Sequence, residues 1–133
     1  MSLSLVKAVP GAAAPGATPL RLNLGCGLGA LAGWCNIDRA KLPGVDVAAD
    51  LDDCRRVPLP FADQSVEDVR LWHVIEHLTD PLPLMQELHR VAKPGVKISI
   101  RTPYGSTDDA WTDPTHTRPY FWDSFGFFSQ PYW

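Results

Sequence analysis

The 133-residue chain is 45% hydrophobic and 20% charged, which suits one globular domain. Its net charge of −3 gives no strong nucleic-acid signal, because no basic stripe is present, and no apolar run is long enough to span a membrane. Cys26, Cys35 and Cys54 form no CxxC pair, and this cysteine usage fits a reducing, cytoplasmic setting.

Residues 1–19 are rich in Ala, Pro and Gly and read as a flexible tail, too proline-broken for a signal sequence. After it, short apolar runs alternate with turn signals. Strands are predicted over residues 20–24, 34–38, 45–49, 66–72 and 96–102, most of them apolar, as expected when both sheet faces are covered. A helix is predicted over residues 82–92. Thr79 or Asp80 can cap it, Pro81 and Pro83 sit where first-turn prolines are tolerated, and Leu84, Leu88 and Val91 share one face. Pro94-Gly95 stops the helix, so the fourth and fifth strands should lie parallel across a βαβ crossover. Residues 104–133 hold ten of the thirteen aromatics, and packing is the expected job of most of them.

The stretch Leu22-Asn23-Leu24-Gly25-Cys26-Gly27-Leu28-Gly29, with Asn36-Ile37-Asp38 beyond it, reads as strand, glycine turn, and acid at the end of the next strand. That is how an α/β sheet makes a nucleotide pocket. Gly25, Gly27 and Ala30 satisfy the looser dinucleotide pattern, but there the acid follows about 20 residues on. Asp38 comes only 13 residues after Gly25, with room for little more than one helical turn between. A pyrophosphate wants a helix N-terminus facing it, so the loop suits a ligand without one. A nicotinamide-dependent oxidoreductase is thereby disfavoured.

Further segments follow in order: Asp50-Leu51, Leu59-Pro60-Phe61-Ala62-Asp63, His73-Val74-Ile75-Glu76-His77-Leu78, and Glu87 through Gly95. With the glycine turn and Asp38, this ordered set resembles the class I S-adenosylmethionine-dependent methyltransferases, in the small-molecule-type branch, over residues 20–128. The resemblance implies that Gly25, Cys26 and Gly27 lie against the methionine part of the cofactor. It places Asp38 on the ribose hydroxyls, Asp50 on the adenine amine and Leu51 against the ring. Trp72 and His73 would close the pocket at the end of the fourth strand. Asn23 stands where the family often has an acidic residue.

His73, Glu76 and His77, with His116 further on, have several readings. Histidine and carboxylate can ligate a metal. They can equally orient a loop, or a histidine can act as a general base near its usual pKa of about 6.5. The reading adopted is without a metal, with His73, His77 and His116 as catalytic candidates. Asp113 to Tyr120, with Asp123-Ser124-Phe125, resembles a segment that lies over the active site in one branch of the family. There His116 would be a base or substrate contact and Arg118 an anion fork, or the segment is a structural turn. Cys26 has nothing beside it in sequence to make it a nucleophile.

The expected fold is therefore a Rossmann-like, doubly wound α/β sheet of five parallel strands in order 3-2-1-4-5. The resemblance implies seven strands, and the last two are absent from this chain. Strand five would then be an exposed apolar edge, covered by missing chain, by the aromatic tail, or by a second copy in a homodimer. The function expected is methyl transfer from S-adenosyl-L-methionine to an unidentified, small-molecule or other acceptor by in-line displacement. The alternatives are a non-catalytic cofactor-binding or interaction module and, less favoured, the NAD(P)-dependent oxidoreductase.

Overall fold

Local signals place the elements, and the strand ends place the site. The structure, a computed structural model, describes residues 1–6 and 19–128. Its strands are β1 (Ser2–Val6), β2 (Leu20–Leu24), β3 (Cys35–Asp38), β4 (Val47–Ala48), β5 (Val66–Trp72) and β6 (Ala92–Arg101). Helix α1 spans Pro81–Val91 and the short α2 spans Asp109–Thr112. Single 3₁₀ segments occur at Leu51–Asp53, Ile75–His77 and Trp122–Phe128.

Helix α1 forms where its caps and its apolar face agree. The Asp80 carboxylate accepts from the Leu82 N–H, and Pro81 occupies the first turn, where its missing N–H is no loss. Leu84, Leu88 and Val91 are fully buried, each worth about 1.5–3 kcal/mol of burial. The helix ends when Ala92 turns extended, and β6 starts there rather than at Val96. Ala92 pairs with Val66 and Lys97 with Asp68, so residues 93–96 form an irregularity around the positive-φ Gly95.

The sheet order is β1-β6-β5-β2-β3-β4. Strands β2 to β6 are parallel to their neighbours, and counted from β2 they stand in the expected order 3-2-1-4-5. The arrangement is Rossmann-like, with one addition. Residues 2–6, expected in a flexible tail, form a strand that pairs antiparallel with β6 from Ser2–Arg101 to Val6–Lys97. The edge of the fifth parallel strand is therefore covered by the chain's own first residues. The edge that motivated a homodimer is occupied. The rest of the tail, residues 7–18, lies outside the described residues.

The two sheet faces differ. Leu22, Leu24, Ile37, Val69, Leu71, Ile98 and Ile100 are buried on one face and form the core with α1. On the other, Arg21, Trp72, Lys97 and Arg101 are exposed, and Ser2 and Ser4 continue the row. Full cover on both faces was expected; β6 instead alternates buried and solvent-facing residues, the period-two signature of a half-covered strand. Arg70 stacks on Trp72, its guanidinium carbon 3.5 Å from the ring centroid, and Arg101 lies 5.5 Å from the same ring.

Candidate active site

The glycine turn is built without a helix. Asn23 and Asn36 are buried neighbours on β2 and β3, with the Asn23 amide donating to Asn36 Oδ1 at 2.9 Å and to the Gly29 carbonyl at 3.0 Å. Asn36 Oδ1 also accepts from the Leu31 N–H at 2.8 Å, and its amide donates to the carbonyls of Leu31 and Trp34, both at 3.1 Å. Two side-chain amides thus satisfy the loop's backbone where a helix would otherwise do so. Asn23 is a loop organiser held away from the pocket. Asn36 was given no role of its own in the Asn36-Ile37-Asp38 strand end, although its alternation with Asp38 places both polar groups on one face.

Gly25 and Gly27 have φ of +60° and +50°, the region that glycine enters without penalty. At Gly25 space is also limiting. A Cβ there would lie 2.4 Å from Val74 Cγ2, so the residue must be glycine for the turn to seat against the loop after β5. The Gly27 N–H donates to Asp38 Oδ2 at 2.8 Å, and Asp38 Oδ1 accepts from the Ala40 N–H at 3.0 Å. Asp50 caps the turn Leu51–Asp53 by accepting from Asp52 N–H, and Leu51 is buried beneath it.

These residues converge on a cavity of about 570 Å³, lined by Gly25, Asp38, Arg39, Ala49, Asp50, Leu51, Asp52, His73, Val74, His77, Leu78 and Thr115. That size is ordinary for a small-molecule cofactor site. Of the residues singled out for the cofactor, Gly25, Asp38, Asp50, Leu51 and His73 line it. Asn23, Cys26, Gly27 and Trp72 do not. Trp72 is drawn out to the open sheet face by its arginine partners. The Cys26 thiol is pushed up by burial and by the Asp38 carboxylate, which leaves it a poor nucleophile.

The far wall is assembled over distance. Thr117 donates its N–H to the Glu76 carbonyl at 2.7 Å and its hydroxyl to the Leu78 carbonyl at 2.5 Å. Arg118 donates to the Thr79 carbonyl at 3.0 Å, and the Tyr120 hydroxyl to the Ile75 carbonyl at 3.2 Å. One nitrogen of the exposed Arg118 guanidinium is thus tied to the loop. Burial of the Tyr120 phenol pushes its pKa up to about 12. These bonds set the His116 ring against His77, centroids 4.9 Å apart and edge-on.

The Thr115 hydroxyl donates to Asp113 Oδ1 at 2.6 Å, so His77 Nδ1, 2.9 Å from that hydroxyl, must be the donor to it. His116 Nδ1 lies 3.1 Å from the Ala110 carbonyl, which can only accept. In both neutral rings the proton is thus on Nδ1 and Nε2 faces away from these partners, that of His116 lying 3.8 Å from Asp113 Oδ2. The Asp113 carboxyl is held below its usual range by the Thr115 hydroxyl and N–H. His73 sits at a positive φ of 55°, with Nδ1 3.3 Å from Glu76 Oε1. Glu76 is 2% exposed, and neither carboxylate oxygen has a hydrogen-bond partner. Glu76, His77 and His116 each offer a ligand atom within 4.8 Å of the others.

A parallel α/β sheet with a glycine turn, a strand-end acid and a cavity at the strand C-termini defines a nucleotide-cofactor protein. The sequence matches the methyltransferase-domain family over residues 12–129, and the chain belongs to that family. It is 36% identical over 84 residues to a probable S-adenosylmethionine-dependent methyltransferase of Mycolicibacterium smegmatis, covering 60% of this chain and 31% of that protein. It is 28% identical over 115 residues to methyltransferase GfsG of Streptomyces halstedii, covering 68% of this chain and 41% of that one. The fold is shared with a SAM-dependent methyltransferase structure from Archaeoglobus fulgidus, at TM-score 0.68 and 20% identity, over 84% of this chain and 58% of that one. The chain thus spans well under half the length of the curated relatives it matches. The cofactor these comparisons imply is S-adenosyl-L-methionine. Among the described residues, no helix is long and apolar enough to cross a membrane.

Proposed function

We propose that this chain binds S-adenosyl-L-methionine in the cavity between Gly25 and His77 and supports transfer of its methyl group to an acceptor. The observation that carries the reading is convergence. Gly25, Asp38, Asp50 and Leu51 come from three strand ends and line one cavity with His73 and His77. The donor set fits the group. Strand-end carboxylates match ribose hydroxyls and an adenine amine, a buried Leu51 matches a ring face, and the glycine at 25 lets the turn seat against Val74 at the cavity wall. Of the glycine turn, Gly25 borders the end of the cavity that would take the methionine part.

The bound cofactor supplies an electrophilic sulfonium methyl. The protein's work is then to orient the acceptor, exclude water and manage one proton. His73 and His77 line the cavity, whereas His116 stands behind His77. His73 has the Glu76 carboxylate 3.3 Å from Nδ1, close enough to favour a positive charge on the ring once it takes a proton from the acceptor. Calorimetric titration with S-adenosylhomocysteine tests the pocket. Saturable binding that Asp38→Ala weakens is expected. A well-folded protein that binds nothing would sink the reading. Cofactor binding without turnover on a broad acceptor panel would instead favour a non-catalytic module.

A further inference from the structure

We propose that Glu76, His77 and His116 form a binding site for a divalent first-row metal ion, with zinc the best match. The set is two imidazoles and one carboxylate, whose ligand atoms already lie within 4.8 Å of one another. That is the donor set of catalytic zinc sites, which use three protein ligands and keep a position open.

Three independent features point to a cation. The first is Glu76 itself. A carboxylate only 2% exposed with two unpartnered oxygens is costly unless a positive charge meets it. His73 approaches only Oε1, and from an exposed side chain, so Oε2 has no neighbour of that kind. The second is the tautomers. Both histidines use Nδ1–H to donate outward, His77 to Thr115 and His116 to the Ala110 carbonyl. Metal-bound histidines are oriented in this way, with the outer N–H held by a carbonyl or carboxylate system. Here the His77 partner is in turn anchored by Asp113, giving an Asp113–Thr115–His77 chain. The third is preorganisation. Thr117 bonds the two ligand-bearing segments together without any ion, so ordering the site costs little.

Zinc bonds of about 2.0–2.2 Å would draw the three atoms closer than they now stand. His77 is exposed and has the freedom to close that gap. An ion here would stand beside the cavity that His77 and Thr115 line. Its open position would take water or an oxygen of the methyl acceptor; this last step alone rests on the methyl-transfer reading.

The test uses tag-free protein stripped with a chelator. Equilibrium dialysis with elemental counting should return close to one zinc per chain. Cobalt(II) in its place should show the visible bands of a four- or five-coordinate ion, without the charge-transfer band of a cysteine ligand. Glu76→Gln and His77→Ala should each weaken zinc binding at least about tenfold, and Thr115→Val, an outer partner, by about tenfold. His89→Ala, remote in sequence from the cluster, should change nothing. Circular dichroism checks that each variant is folded; His77 is exposed and Glu76→Gln keeps its shape. Sub-stoichiometric uptake, or uptake unchanged by Glu76→Gln and His77→Ala, overturns the site. S-adenosylhomocysteine titration of the metal-free protein is scored separately, because it reports on the pocket and not on the ion.

Discussion

The two walls of the cavity are made in different ways. The nucleotide wall comes from β2, β3 and the turn after β4, residues 25 to 52, and is held by strand ends whose short Asn and Asp side chains bond the adjoining loop backbone. The histidine wall joins residues 73–78 to residues 113–118, about forty positions apart, and is held by side chains reaching carbonyls. The first wall is rigid because a sheet makes it. The second is only as fixed as a few hydrogen bonds, each worth about 0.5–1.5 kcal/mol. Ligand geometry should therefore be set by the first wall, and acceptor chemistry tuned on the second.

The sharpest way to break this contrast is Gly25→Ala. A side chain at φ +60° costs about 1–2 kcal/mol and the collision with Val74 about 1–3 more, so thermal unfolding should shift well down and S-adenosylhomocysteine binding should vanish. If Gly25→Ala binds normally, the nucleotide wall is softer than described. Asp38→Ala should follow. It removes the carboxylate proposed to hold the ribose and the acceptor for Gly27, and binding should fall by about 1.5–3 kcal/mol in calorimetry. Thr117→Val probes the other wall. It should destabilise the fold by only about 1 kcal/mol and speed amide exchange across residues 113–118, with cofactor affinity little changed.

Trp72→Ala separates the open sheet face from both walls. It removes an exposed cation–π stack worth about 0.5–1 kcal/mol and should leave S-adenosylhomocysteine affinity as it was. A large loss of affinity would return Trp72 to the pocket. The smallest effect concerns acid. Burial opposes it, yet hydrogen bonds from Thr79 and Asp80 hold the Asp52 carboxyl below its usual 3.8. A lowered carboxyl stabilises the fold above that ordinary value and loses the contribution as pH falls through the lower folded one. Because the group is largely solvated, Asp52→Asn should remove about 0.3 kcal/mol at neutral pH and nothing in strong acid, read from melts across pH.

What the sequence discloses follows the same division. The turn at Gly25, the acid at Asp38 and the capped helix from Asp80 are local, so spacing and residue type suffice to read them. Tyr120 on Ile75 and Thr117 on Leu78 are contacts of long sequence separation, and no local pattern announces them. Trp72 was placed in the pocket because it ends β5; two arginines on the same face outcompete that position. β1 did carry a signal. Ser2-Leu3-Ser4-Leu5 alternates with the period of a half-covered strand. The Ala, Pro and Gly that follow masked it, since nothing local says which edge, nearly a hundred residues away, it will join. Glu76 was legible as a residue type but not as a buried charge lacking partners.

The first residue has a practical consequence. The amino group of Met1 donates to the Thr102 carbonyl at 2.7 Å, where β6 ends, so the antiparallel β1 delivers its leading end to the side of the sheet that carries the cavity. Anything joined ahead of Met1 departs from that side. A peptide joined there through a flexible linker would leave from the same end of the sheet as the cavity and meet it at a local concentration in the millimolar range, about that of any short tether. The leading strand is thus a ready anchor for self-labelling assays of the proposed methyl transfer, read as a change in mass.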